Sequence, residues 1–151
     1  MKTVFVSGDF NILHPGHLRL LKFAKESGDK LIVGVFSNEF SSKKYLLDEK
    51  FRIESLKAVS FVDEVVLIED NLEQFILNLK PNIIVKGKEH EHQPNIELNI
   101  LDSYDGKLLF TSGEMSFSHL DIIKKDYFNS IYQIYLMIMN IFTDTIFQKI
   151  D

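Results

Sequence analysis

Two histidines, His14 and His17, stand three residues apart in the stretch G-D-F-N-I-L-H-P-G-H-L-R-L-L, and the chain has only five. Imidazoles so spaced can donate hydrogen bonds and neutralise charge, which suits a polyphosphate whose negative charge grows during reaction. Their setting favours that chemistry. A short apolar run, T-V-F-V-S, leads into a turn of Gly8, Asp9, Phe10 and Asn11. Pro15 follows at a position suited to a helix's first turn, where a missing N–H costs nothing. A helix starting there would aim its backbone N–H groups and partial positive charge at whatever binds above the turn. His14 falls just before that helix and His17 one turn into it, so both can face one ligand. The competing reading makes one histidine a helix cap and the other a packing residue. The strand–glycine–turn–helix setting favours the ligand.

The elements around this stretch must build its scaffold. Apolar runs at Thr3 to Ser7, Lys30 to Phe36, Glu64 to Ile68, Asn82 to Val85 and Lys107 to Phe110 are continuous rather than alternating. Such runs suit strands buried on both faces. Between them lie apolar stripes with helical spacing: Leu18, Leu21, Phe23 and Ala24; then Phe51, Ile53, Leu56 and Val59; then Leu72, Phe75, Ile76 and Leu79. Strand and helix in alternation predict a Rossmann-like three-layer α/β domain with a five-stranded parallel sheet. Ligands of such open sheets bind beyond the carboxyl ends of the strands, which is where the histidines fall.

The same stretch resembles the G-x-F-D-x-x-H-x-G-H signature of the cytidylyltransferase-like nucleotidyltransferases, the HxGH superfamily. The resemblance extends over about residues 2–125. S-N-E-F (Ser37 to Phe40) is similar to the family's segment after the second strand, and Arg52 matches the arginine of its E-x-R element. F-V-D-E-V-V (Phe61 to Val66) matches the segment entering the third strand. K-P-N-I-I-V-K-G-K-E-H-E (Lys80 to Glu91) resembles the adenylyltransferase domain of bifunctional heptose-phosphate kinase/adenylyltransferases, and the chain also resembles glycerol-3-phosphate cytidylyltransferase. F-S-H-L-D-I-I-K-K falls where the family has S-T-T-x-I-I-K-K. The sequence departs from the pattern at Lys50, where a glutamate is usual, at Asn11 for an aspartate, at His119 and Leu120 for two threonines, and at Gly113 for an arginine.

This resemblance implies transfer of a nucleotidyl group from ATP or CTP, with Mg²⁺, to a sugar or polyol phosphate, releasing pyrophosphate. It assigns catalysis to His14, His17 and Lys44 and acceptor binding to Lys43. It gives nucleotide contacts to Gly8, Asp9, Phe10, Gly16, Arg52, Lys86, Gly87, Ser118 and His119. No residue is assigned to a protein-held metal; K-E-H-E-H-Q (Lys88 to Gln93) reads as a solvated loop. ATP with a sugar 1-phosphate is preferred over CTP with a polyol phosphate because V-K-G resembles the heptose branch. The departures at Asn11, His119 and Leu120 motivate a rival, a nucleotide-binding regulatory or inactive module of a larger sugar-kinase fusion.

Composition bounds the rest. The chain has 151 residues, 45% of them hydrophobic and 26% charged, enough for one domain with a real core. A net charge of −5 gives no electrostatic reason to expect nucleic acid or an acidic membrane as partner. The absence of cysteine excludes disulfides and thiolate chemistry. The N-terminal apolar run is too short for a signal peptide, so a cytoplasmic setting is expected. The nucleotidyltransferase domain is expected over residues 1–126, followed by a C-terminal helical extension over 127–151. The apolar part of that extension is interrupted by Gln133 and Asn140 and is shorter than the ~20 residues a bilayer requires. Ile131, Ile134, Tyr135, Ile138, Ile141 and Phe142 form a stripe, and Leu136, Met137 and Met139 make the other face apolar too. A helix apolar nearly all round must be covered, which predicts a homodimer or docking on a fused kinase-like domain.

Overall fold

Uninterrupted runs of Val, Ile, Leu and Phe become the strands: β1 (Thr3–Gly8), β2 (Lys30–Phe36), β3 (Glu64–Ile68), β4 (Ile83–Lys86) and β5 (Lys107–Phe110). They form one parallel sheet in the order β3-β2-β1-β4-β5. The computed structural model describes residues 1–112 and 130–134 of the chain. All five strands lie in the unit Met1–Ser116; in the unit Phe117–Asp151 the described residues, 130–134, are helical. β2 is buried over most of its length and β1 over its middle, whereas the edge strands β3 and β5 are only partly covered.

Helices α1 (Pro15–Glu26) and α2 (Glu49–Lys57) cover one face, where Leu21, Ala24 and Leu56 pack on Val4, Val6, Leu31, Val33 and Val85. Helices α3 (Leu72–Leu79) and α4 (Glu97–Asp102) cover the other, where Ile76, Ile100 and Leu101 meet Phe5, Ile32 and Ile84. The expected stripes need two corrections. Leu18 and Phe51 are exposed, and the inward face of α1 runs His17, Leu21, Ala24, at spacings of four and three. On α2 the buried positions are Arg52 and Leu56, and Val59 lies beyond the helix end. The fourth strand begins and ends one residue later than its apolar run, at Ile83 and Lys86, and β1 runs on to Gly8. Helix α4 had no counterpart among the expected elements.

The Lys25–Asp63 ion pair ties α1 to the residue before β3, and Asp63 also holds β2. Asp63 accepts from the Leu31 N–H at 2.7 Å and from Lys25 Nζ at 2.6 Å. The backbone N–H of Leu31, and then Lys25, hold its carboxyl below the ordinary carboxylate value. A lowered folded-state value means that the contribution is present above the unfolded-state value and is lost as pH falls through the folded one. Asp63→Asn should therefore lower stability at neutral pH, with the two proteins converging in acid. Denaturant midpoints measured between pH 7 and pH 3 check this, and a constant gap would refute it.

Candidate active site

The strand order reverses between β1 and β4. These strands pair only at Val4↔Ile83 and Phe5↔Ile84, so beyond Phe5 their carboxyl ends part. A crevice opens at such a switch point in a parallel sheet. On one side of it stands the head of α1. Pro15 opens the helix, and His14 caps it by accepting the Gly16 N–H on Nδ1 at 3.1 Å. That bond uses the Nδ1 lone pair, so the ring carries its proton on Nε2. His17 lies one turn on and stacks against His14, with ring centroids 3.9 Å apart and planes 23° apart. Phe10, buried and held at φ 45°, tilts against His17 at 5.1 Å. A side chain at Gly8 would press on the Phe10 ring, its Cβ 3.3 Å from Cε2, so a small residue there lets the turn fold back. The motif thus builds a rigid aromatic seat with two stacked imidazoles beside the N–H groups of a helix terminus.

The loop between β2 and α2 is clasped to this seat. Asp9 accepts from Tyr45 Oη at 3.0 Å and pairs with Lys43 Nζ at 3.4 Å. The Asn11 side-chain oxygen accepts from the Leu46 N–H at 2.8 Å and the Leu47 N–H at 3.3 Å. Arg52, fully buried, donates to Leu47 O at 3.1 Å, to Asp9 O and Phe36 O at 2.8 Å each, and to Asn38 Oδ1 at 3.0 Å. Its guanidinium also lies over the Tyr45 ring at 4.1 Å. Lys43 thus reaches the edge of the site through Asp9, and Lys44 is exposed on the same loop. Asp48, the N-cap of α2, accepts the Lys50 N–H, which together with Asn38 holds its carboxyl below the ordinary value.

Removing the Asn11 acceptor should loosen this clasp. Asn11→Ala leaves two N–H groups without a partner, worth about 1–2 kcal/mol of local opening. Tryptic cleavage after Lys43 or Lys44 should then run roughly 5- to 30-fold faster with global stability little changed. An unchanged cleavage rate would dismiss the clasp.

At the far side of the crevice β4 ends in Lys86, whose ammonium meets Glu97 Oε1 at 2.9 Å. Gly87 follows, and a side chain there would run into the Glu89 carboxylate. Ser118 and His119 lie outside the described residues, as do Tyr135, Ile138, Ile141 and Phe142; Ile131 and Ile134 are helical and exposed. Among the described residues no three histidine or acidic side chains converge to hold a metal ion. No described helix is long and apolar enough to cross a membrane. Tyr45 and Glu97 lie outside every motif quoted above, and Asn38 lies within S-N-E-F without a role assigned to it. An aromatic in the otherwise polar S-S-K-K-Y and an acid opening a short helix are the signals that mark Tyr45 and Glu97.

The family model described as cytidylyltransferase-like matches residues 5–108. The chain belongs to the cytidylyltransferase-like family. It carries a nucleotidyltransferase domain, and the matched residues include the two-histidine seat. Among curated relatives, "Bifunctional protein HldE" of Geobacter metallireducens is 33% identical over 83% of this chain and 28% of its own length. The protein of the same name from Campylobacter concisus is 36% identical over 70% of this chain and 25% of its own. The cytidylyltransferase-like chain therefore spans about a quarter of the length of these relatives. Among solved structures, a lipopolysaccharide core biosynthesis protein from Thermoplasma volcanium superposes with a TM-score of 0.66 at 27% identity, covering 76% of this chain and 99% of that one. A pantoate-beta-alanine ligase from Francisella tularensis, at TM-score 0.57 and 18% identity over 76% of this chain and 60% of that one, shares the fold.

Proposed function

We propose that this domain transfers an adenylyl group from ATP to a sugar 1-phosphate, forming an ADP-sugar and pyrophosphate. An oxygen of the acceptor phosphate attacks the α-phosphorus, the bond to the bridging oxygen of the β-phosphate breaks, and pyrophosphate leaves with that electron pair. The observation that carries this reading is the stacked His14–His17 pair at the N-terminus of α1, beside the crevice. Charge moves onto the leaving pyrophosphate, and donors already fixed in place stabilise it without reorganising. The Gly16 N–H bond to Nδ1 holds the His14 ring at the head of α1, and the helix N-terminus adds its partial positive charge. Lys43 and Lys44, on the clasped loop, supply mobile cations for the acceptor's phosphate. Mg²⁺ would come with the nucleotide and would supply positive charge to offset that of the triphosphate, since no histidine or acidic cluster among the described residues would hold it. The glycan setting is supported by the likeness to the lipopolysaccharide core biosynthesis protein of Thermoplasma volcanium. The name "bifunctional" on relatives about three times as long as this chain supports a second catalytic domain or partner, and a kinase-like one would be the source of the acceptor phosphate.

The test is pyrophosphate release over a panel pairing ATP or CTP with sugar 1-phosphates and polyol phosphates. Turnover confined to ATP with a sugar 1-phosphate is expected. Turnover only with CTP and a polyol phosphate overturns the assignment of substrates, and nucleotide binding without turnover on every pair favours a regulatory module.

A further inference from the structure

The Lys86–Glu97 pair closes the crevice on the side away from the histidines, and its chemistry differs from theirs. Along β4, Ile84 belongs to the core under α3 and α4, and strand alternation turns Lys86 toward that same side. There it meets Glu97, at the start of α4. Glu97 is only 3% exposed, and its Oε1 takes the Lys86 ammonium at 2.9 Å. Its second oxygen, Oε2, is buried and has no hydrogen-bond partner among the described residues. A buried carboxylate is costly unless paired and hydrogen-bonded, and here one oxygen is served and the other is not. Packing does not call for this arrangement, since an apolar side chain would fill the site without the cost. A ligand that brings a donor would meet the need.

The pair also discriminates between kinds of ligand group. A lysine neutralised by a carboxylate at 2.9 Å presents little net field to an anion, and the carboxylate repels a phosphate outright. A hydroxylated ring suits it: one hydroxyl accepts from Lys86 while the same or a neighbouring hydroxyl donates to Glu97. Resting on the nucleotidyl-transfer reading, we infer that Lys86 and Glu97 form a hydroxyl-reading subsite, which takes a sugar ring while the phosphates go to the α1 side. Glu97 is a positioning residue for the Lys86 ammonium and, through Oε2, the acceptor of a hydroxyl proton. The hydroxyls come from the nucleotide's ribose or from the acceptor sugar, and the two sources are separable.

Direct binding to the intact chain is measured first, by calorimetry, with ATP, 2′-deoxy-ATP and 3′-deoxy-ATP. Pyrophosphate release is then followed with glucose 1-phosphate, mannose 1-phosphate and their deoxy analogues. A site built to hydrogen-bond a hydroxyl loses on the order of 10-fold to 100-fold when the hydroxyl is missing. That loss is expected in one arm: in the deoxynucleotides if the ribose is read, in the deoxy sugars if the acceptor is. Glu97→Gln should shrink the discrimination to within about threefold, raising KM for the hydroxylated substrate more than it changes kcat. If that variant does not fold, Lys86→Gln combined with Glu97→Gln removes the pair without stranding a charge and should likewise lose discrimination. Equal binding and turnover of every deoxy analogue by the wild-type chain overturns the subsite. Failure to bind any nucleotide overturns instead the reading on which it rests.

Discussion

His17→Ala lowers the rate of pyrophosphate release by on the order of 10²-fold or more while the chain still folds. Each tenfold corresponds to about 1.4 kcal/mol of transition-state stabilisation, so this loss is about 2.7 kcal/mol, typical of removing one preorganised donor. The expectation rests on position. His17 heads the inward stripe of α1 above Leu21 and Ala24, against Phe10 and His14, at the crevice rather than in the core. Truncation there removes a group from the site's wall and leaves the helix's buried anchors intact. His14 needs a different substitution, because alanine would also remove the cap on Gly16, worth about 1 kcal/mol. Asparagine keeps a capping acceptor and removes the imidazole, so His14→Asn should fall in rate by a similar order with near-normal stability. Activity is read per folded molecule, with thermal or denaturant unfolding alongside. Lost stability with unchanged activity would make both residues packing groups.

How far a residue's place in the fold can be read from the sequence depends on the kind of signal that residue carries. The strands were legible because their periodicity is local: V-F-V and L-I-V-G-V are buried by neighbours on both faces whatever those neighbours are. The α1 head was legible for the same reason, since strand, glycine, proline and two histidines lie within one short segment. Of the two readings of His14, cap or ligand group, the fold shows the cap, with Nδ1 accepting the Gly16 N–H. Leu18 misled because a stripe fixes a helix's apolar face only to within about one residue, and His17 occupies the place the stripe gave to Leu18. Helix α4 escaped notice because it is short, with no capping side chain at Ile96. Glu97, and the burial of Arg52, escaped differently. Charged residues are rarely buried, and nothing local distinguishes the arginine of E-K-F-R-I-E from a surface one. Its partners lie on three separate segments that only the fold brings together.

That placement gives the second large effect. The family resemblance puts Arg52 at the nucleotide, yet in the fold its guanidinium serves four acceptors: Leu47 O, Asp9 O, Phe36 O and Asn38 Oδ1. Three of these are backbone carbonyls at the ends of β1, β2 and the loop, so one side chain joins the turn that carries Phe10 to the loop that carries Lys43 and Lys44. Arg52→Ala strands those acceptors and leaves a large void in place of a fully buried side chain. Hydrogen bonds to charged groups contribute about 1.5–3 kcal/mol each and do not add, so a total loss of about 3–5 kcal/mol is expected. Against a stability of about 5–15 kcal/mol, that brings the domain close to unfolding at ordinary temperature. Arg52→Lys should recover only part of it, because a single ammonium lacks the planar fork that reaches several carbonyls at once. Urea midpoints for wild type, Arg52→Lys and Arg52→Ala should therefore fall in that order, with catalytic loss following the loss of folded protein and a residual defect from the unclasped loop. A residue that only bound phosphate would show the opposite pattern: unchanged midpoints and a raised KM for the nucleotide. The number of carbonyls that Arg52 serves decides for the first pattern.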